Sequence, residues 1–168
     1  MRAYDLSAVS VLIVEPNRLL RDVLRDVLFA FGIEKLEAVG DPTSARALLH
    51  DNATYDLMLT ELDFEHYDGA DLIRDIRQHS APSVRMIPVI ALTLDARIDR
   101  VVLARDCGAT EILTKPICAA AMYDRIVALI EQPRDFVRLQ DRYFGPDRRR
   151  RFQDFARGKR RVPAVAHA

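Results

Sequence analysis

The sequence predicts a doubly wound α/β domain built on a five-stranded parallel sheet, followed by a basic C-terminal extension. Three observations predict it. Five short apolar runs of strand length alternate with helical segments. The connections are only a few residues long, and parallel strands so joined need a helix-sized, right-handed return. The charges are also unevenly placed. From Pro133 onward there are eleven basic and four acidic residues, against fourteen basic and twenty-one acidic before it. An acidic body of −7 thus carries a tail of +7, which hints at an anionic partner or at folding back.

The first run, 9–14, is almost continuously apolar, as in a strand covered on both faces, and ends at Glu15-Pro16-Asn17. Leu20, Val23, Leu24, Val27, Leu28 and Phe31 then recur at spacings of three and four, an amphipathic helix stopped by Gly32. A short strand at 36–39 precedes Asp41-Pro42, a capping residue and a first-turn proline that open a helix to about His50. The third strand, 55–60, ends in Glu61. A loop over 62–68 leads through Asp68-Gly69 into a helix carrying Leu72, Ile73 and Ile76. The fourth strand, 88–92, ends in Thr93, and a helix over about 96–107 closes at Gly108. The fifth strand, 111–114, runs into Lys115-Pro116, and the last helix, about 118–131, stops before Pro133. The body is therefore expected over 7–132, with 133–168 outside it and mobile when free.

In such sheets ligands bind outside the carboxyl ends of the strands, where the strand order reverses. Glu15, Glu61, Thr93 and Lys115 occupy those ends. Two carboxylates, a hydroxyl and an ammonium are expected to share one crevice. Alone, Thr93 and Lys115 read as a strand-end hydroxyl and a snorkelling lysine.

The stretches VSVLIVEPN, YDLMLTELDFEHYDG, IPVIALT and GATEILTKPI together resemble the receiver domain of two-component response regulators, the CheY-like superfamily. The resemblance covers about 7–131. It implies a flavodoxin-like fold of strand order 2-1-3-4-5. It also implies a strand-three Asp that takes a phosphoryl group from a histidine kinase, two acids after strand one that hold Mg²⁺, and a Thr and Lys that bind the phosphoryl group. The output surface it implies is the fourth helix, fifth strand and fifth helix, facing a kinase, the flagellar motor or another signalling protein.

Three positions depart from that pattern. Glu61 stands at the phosphoacceptor position, Pro16 at the second acidic position, and Ile112 where the family commonly has an aromatic switch residue. Mg²⁺ demands near-octahedral oxygen ligation, so Pro16 removes a ligand. Glu61 reaches one methylene further than Asp, and phosphoryl transfer tolerates such displacement poorly. The expectation is a pseudo-receiver that requires no cofactor. Its Glu61 carboxylate would meet Lys115 and Thr93 and imitate part of the phosphorylated state with one charge where phosphate brings nearly two. Two alternatives stay open: a receiver still answering to phosphorylation, and a crevice kept only as a buried polar network.

The tail holds five of the twelve aromatics, interleaved with arginines, and Lys159 is its sole lysine. Arginine suits bidentate and stacked recognition. Gly145-Pro146-Asp147 reads as a turn. The segment 147–154 offers Asp147, Arg148, Arg149, Arg150, Arg151 and Asp154 as a cyclic di-GMP site, with arginines on guanine and phosphate and Asp154 accepting from guanine. The spacings R-x-x-D at 151–154 and R-x-x-x-R at 157–161 resemble short motifs that bind cyclic di-GMP. A degenerate receiver with such a tail resembles bacterial CheY-like effectors of that nucleotide. A basic, aromatic arm also suits nucleic acid, and a solvated or docked extension is the plainest reading.

Other classes fall away. No apolar run approaches the roughly 20 residues of a membrane span, and the N-terminus lacks a signal-peptide stretch, so a cytoplasmic protein is expected. Cys107 and Cys118 form no CxxC pair and read as buried or half-buried fillers, and the four histidines lack zinc-ligand spacing. No GxGxxG, P-loop, GxSxG or HExxH occurs, so an enzyme is not expected, although two glutamates beside a lysine could run acid–base chemistry.

Overall fold

The computed structural model describes residues 4–50, 54–139 and 143–149. Strands β1 (Ser10–Val14), β2 (Lys35–Val39), β3 (Leu57–Glu61), β4 (Val89–Thr93) and β5 (Glu111–Thr114) form one parallel sheet of order β2-β1-β3-β4-β5. Helices α1 (Arg18–Ala30), α2 (Pro42–His50), α3 (Gly69–Gln78), a one-turn α4 (Pro82–Arg85), α5 (Ile98–Cys107) and α6 (Ala119–Glu131) connect and cover it. This is the expected CheY-like, flavodoxin-like architecture. Among these helices the short α4 has no counterpart in the sequence reading, so the fourth and fifth expected helices are α5 and α6.

The side-chain period of two along β1 explains why the sheet is covered on both faces. Val11 and Ile13 join Leu24, Leu28, Met122 and Ile126 in a core beneath α1 and α6. Leu12 and Val14 join Ala45, Ile73, Ile76 and Ala104 in a second core beneath α2, α3 and α5. All four β1 residues are fully buried, which accounts for an uninterrupted apolar run where a one-sided strand would alternate. Local signals fix the helix ends. The Asn17 side chain accepts from Leu20 N at 3.0 Å to cap α1, Asp68 caps α3 through Ala70 N at 2.9 Å, and Gly108 closes α5 at φ +104°. Among the described residues no helix is long and apolar enough to cross a membrane.

The extension corrects the sequence reading. Part of the extension does not stand outside the body: β6 (Phe136–Leu139) and β7 (Tyr143–Pro146) pair antiparallel, and β7 packs on α3 and α5. Aromatic residues suit a half-buried pleated surface, and Phe136 and Phe144 meet at 5.6 Å between ring centroids. Gly145 and Pro146, read as a turn, are strand residues. A Cβ on Gly145 would sit 2.6 Å from Tyr143 Oη and 3.3 Å from Gly108 Cα, so close approach to the body explains the glycine. Pro146 ends the edge strand opposite Phe136, where its missing N–H is tolerated. Residues 150–168 lie outside the described residues, and with them Arg150, Arg151 and Asp154.

Candidate functional site

The register of the parallel sheet assembles the crevice. Val14 lies beside Thr60, Glu61 beside Leu92, and Thr93 beside Thr114, so Glu15, Glu61, Thr93 and Lys115 emerge along one rim. Lys115 N donates to Thr93 O at 2.8 Å, extending the β4–β5 ladder by one residue. The Lys115–Pro116 peptide is cis.

Three of the four side chains meet directly. Lys115 Nζ donates to Glu15 Oε2 at 2.7 Å and also to Glu61 Oε2. Glu15 and Glu61 are almost fully buried, at 1% and 2% exposure, and the Lys115 side chain is exposed by only 11%. The remaining carboxylate oxygens are also satisfied. Glu15 Oε1 accepts from Asn17 N at 3.0 Å, and Glu61 Oε1 accepts from Leu62 N and Asp63 N, both at 2.8 Å. Burial opposes the charge of Lys115. Hydrogen bonds and the charges of Glu15 and Glu61 outweigh it, holding its pKa above the ordinary lysine value. Every polar atom here has work within the network, as a buried ion cluster requires.

Thr93 does otherwise than expected. Its Oγ1 donates to Asp63 Oδ2 at 2.7 Å, not to Glu61, and accepts from Asp95 N at 3.0 Å. Asp63 is in turn paired with Arg100 on α5. Glu61 turns back onto the amides of its own loop and leaves the hydroxyl to a second carboxylate. Lys115 and Thr93 are thus each answered by a different acid. Sequence reasoning missed Asp63 and Arg100. Asp63 was visible as an acid two residues beyond Glu61, but its pairing with an arginine 37 residues away depends on adjacent β3 and β4 loops.

The comparisons with known proteins agree on the architecture. The sequence model of the response regulator receiver domain matches residues 11–127, most of the chain. The chain belongs to the response regulator receiver family. It is 24% identical over 124 residues to the chemotaxis protein CheY of Pseudomonas aeruginosa, covering 74% of this chain and 98% of that protein. It is 35% identical over 119 residues to the KDP operon transcriptional regulatory protein KdpE of Escherichia coli, covering 70% of this chain and 49% of that longer protein. Among solved structures, the signal receiver domain of a signal transduction histidine kinase from Syntrophus aciditrophicus superposes with a TM-score of 0.66 at 27% identity, covering 79% of this chain and 98% of the other. The receiver domain is thus a signal-transduction module of the two-component type, and such domains work through protein partners.

A receiver's Mg²⁺ does not fit the residues present. Pro16 offers no side-chain ligand, and the carboxylates of Glu15 and Glu61 are both engaged by Lys115. Among the described residues no group of three or more His, Cys, Asp or Glu could hold a metal ion. At the switch position, Ile112 is half-buried and packs against the core under α5.

The proposed tail site is only partly described. Arg148 lies 4.2 Å from the centroid of Tyr143 and donates to Asp106 on α5 at 2.6 Å; Asp147 Oδ1 accepts from Arg149 N at 3.0 Å. The cysteines part company: Cys107 is buried, and burial pushes its thiol up to about 11, whereas Cys118 is exposed and not a filler.

Proposed function

We propose that this receiver signals without phosphorylation, its crevice held permanently by carboxylates where the phosphorylated family site would hold a phosphoryl group. The observation that carries the reading is the double ion pair of Lys115 with Glu15 and Glu61. An incoming phosphodonor would meet a nucleophile hydrogen-bonded through both oxygens, a lysine already neutralised, and a hydroxyl committed to Asp63. Signalling then rests on the surface that the module presents. The exposed Ile98, Val101 and Val102 make the α5–β5–α6 face the surface proposed for a protein partner.

The test uses Mg²⁺ with a small-molecule phosphodonor, read by intact mass, and fluoroberyllate, read by amide chemical shifts. The expected outcome is no added phosphate and no shifts at Thr93 or Lys115. A stoichiometric, base-labile phosphate on Glu61 overturns the reading. The double variant Glu61→Asp, Pro16→Asp should regain measurable Mg²⁺ binding, because it supplies the missing ligand and shortens the carboxylate that occupies Lys115.

For the tail, cyclic di-GMP binding by 147–154 is a second proposal. It is supported by the Arg148 guanidinium lying over the Tyr143 ring, 4.2 Å from its centroid, a cation–π contact of the kind a guanine base could also offer. Arg148 would have to exchange Asp106 for the nucleotide. Calorimetry should show saturable binding abolished by Arg151→Ala. Salt-dependent binding of single-stranded oligonucleotide alone would favour the nucleic-acid reading.

A further inference from the structure

We propose that the cavity between the β6–β7 hairpin and the amino-terminal end of the sheet binds a small phosphate monoester. It is separate from the carboxylate–lysine crevice, since the backbone of Ile87 and Gly108, just before β4 and β5, borders the arginines that line it. Its volume is about 340 Å³, within the range typical of small-molecule sites.

Its lining is unusually cationic. Arg74, Arg77, His79, Arg85 and Arg138 face it, with Asp106 the one carboxylate among the lining residues. Asp106 is already claimed by Arg105 at 3.0 Å and Arg148 at 2.6 Å, and Arg74 is paired with Asp71. That leaves Arg77, Arg85 and Arg138 with no carboxylate partner among the described residues. They converge on one aromatic pair. Arg77 lies 5.0 Å from the Phe136 centroid, and Arg85 and Arg138 lie 5.4 and 5.6 Å from that of Phe144. Three like charges gathered in a half-enclosed space repel one another, and aromatic faces offset only part of that.

Two nitrogens sharpen the inference. Arg77 is 4% exposed, and its Nη2 and the Nε of Arg85 are buried with no hydrogen-bond partner. Unmet buried donors are costly, so both guanidiniums gain by a turn that brings these nitrogens to an acceptor in the cavity. The His79 ring accepts at Nδ1 from Ala81 N at 3.1 Å, so its proton resides on the other nitrogen and adds a donor. Arginine N–H groups that are not tied to backbone carbonyls can make charge-assisted contact with an oxyanion, and Arg77, whose Nε and Nη1 already donate to Gly108 O, Ile87 O and Arg85 O, has only Nη2 to offer. A doubly charged phosphate offers three acceptor oxygens to several such donors at once. The remaining volume admits the group to which the phosphate is esterified.

The full chain is titrated with inorganic phosphate, AMP, adenosine and succinate, followed by calorimetry and amide chemical shifts. AMP should bind saturably, inorganic phosphate more weakly and adenosine not at all, with shifts centred on Arg85, Gly108 and Phe144. Arg138 is exposed and its substitution leaves the core untouched. Arg138→Ala should weaken AMP binding about tenfold, the worth of one lost charge-assisted contact. Arg151→Ala should leave it unchanged, separating this site from the tail, and unmoved amide shifts at Thr93 and Lys115 separate it from the crevice. Absence of saturable AMP binding, binding indifferent to Arg138→Ala, shifts centred on Lys115, or succinate binding as tightly as AMP would each overturn the proposal.

Discussion

Lys115→Met is expected to destabilise the domain by about 3–5 kcal/mol, the usual consequence of removing one partner from a buried ion pair. Methionine fills similar volume, so little of the loss comes from a cavity. What it leaves behind is the problem. Glu15 and Glu61, at 1% and 2% exposure, would face each other without a cation. Urea denaturation of both proteins at neutral pH measures the difference. A variant as stable as the parent would mean that the cluster contributes nothing to folding. Replacing all three charged residues by apolar ones should cost far less, because the penalty comes from an uncompensated charge and not from loss of attraction alone.

The same pair dictates an alkaline signature. The pKa of Lys115 is raised in the folded state, so its stabilising charge is fully present below the unfolded lysine value of about 10.4 and is lost as pH rises through the folded value. The parent should therefore lose stability on the alkaline side faster than Lys115→Met does. Parallel curves above that pH would contradict the assignment.

How far the site was legible follows from how local its determinants are. The five strands and their ends could be read because Val11, Leu12, Ile13 and Val14 announce a doubly covered strand, and Asp68-Gly69 and Gly108 announce helix ends, whereas the strand order came only with the family resemblance. Glu15, Glu61 and Lys115 could be brought to one rim from strand ends alone. The diversion of Thr93 to Asp63 could not, because it turns on the rotamer of Glu61, whose extra methylene lets it fold back onto Leu62 N and Asp63 N. The hairpin was hidden for another reason. Its two strands are four residues each, carry Gly and Pro, and have almost no core of their own, so only docking on α3 and α5 makes them strands.

That docking centres on Arg77, and Arg77→Met is expected to lower stability by about 2–4 kcal/mol while loosening the hairpin, since buried carbonyls left without donors cost about 1–3 kcal/mol each. Arg77 Nε donates to Gly108 O at 3.0 Å, and Nη1 donates to Ile87 O at 2.8 Å and to Arg85 O at 2.9 Å. One guanidinium thus ties the end of α5 to the entry of β4 and lies against Phe136 of the hairpin. The opposing effect is real: burial lowers the pKa of Arg77 to about 10, so the charge itself sits unfavourably. Relief of that burden would dominate if the partners were a carboxylate that could be replaced along with it. They are backbone carbonyls, which stay where they are. The loss of their donors therefore wins. Hydrogen exchange should show the amides of 136–139 and 143–145 losing protection in Arg77→Met to a greater degree than those of β1 and β3, whereas Phe136→Ala should release the hairpin with a smaller fall in global stability. Equal loss of protection across the whole sheet would assign Arg77 to the core alone and remove its role as the anchor of the hairpin.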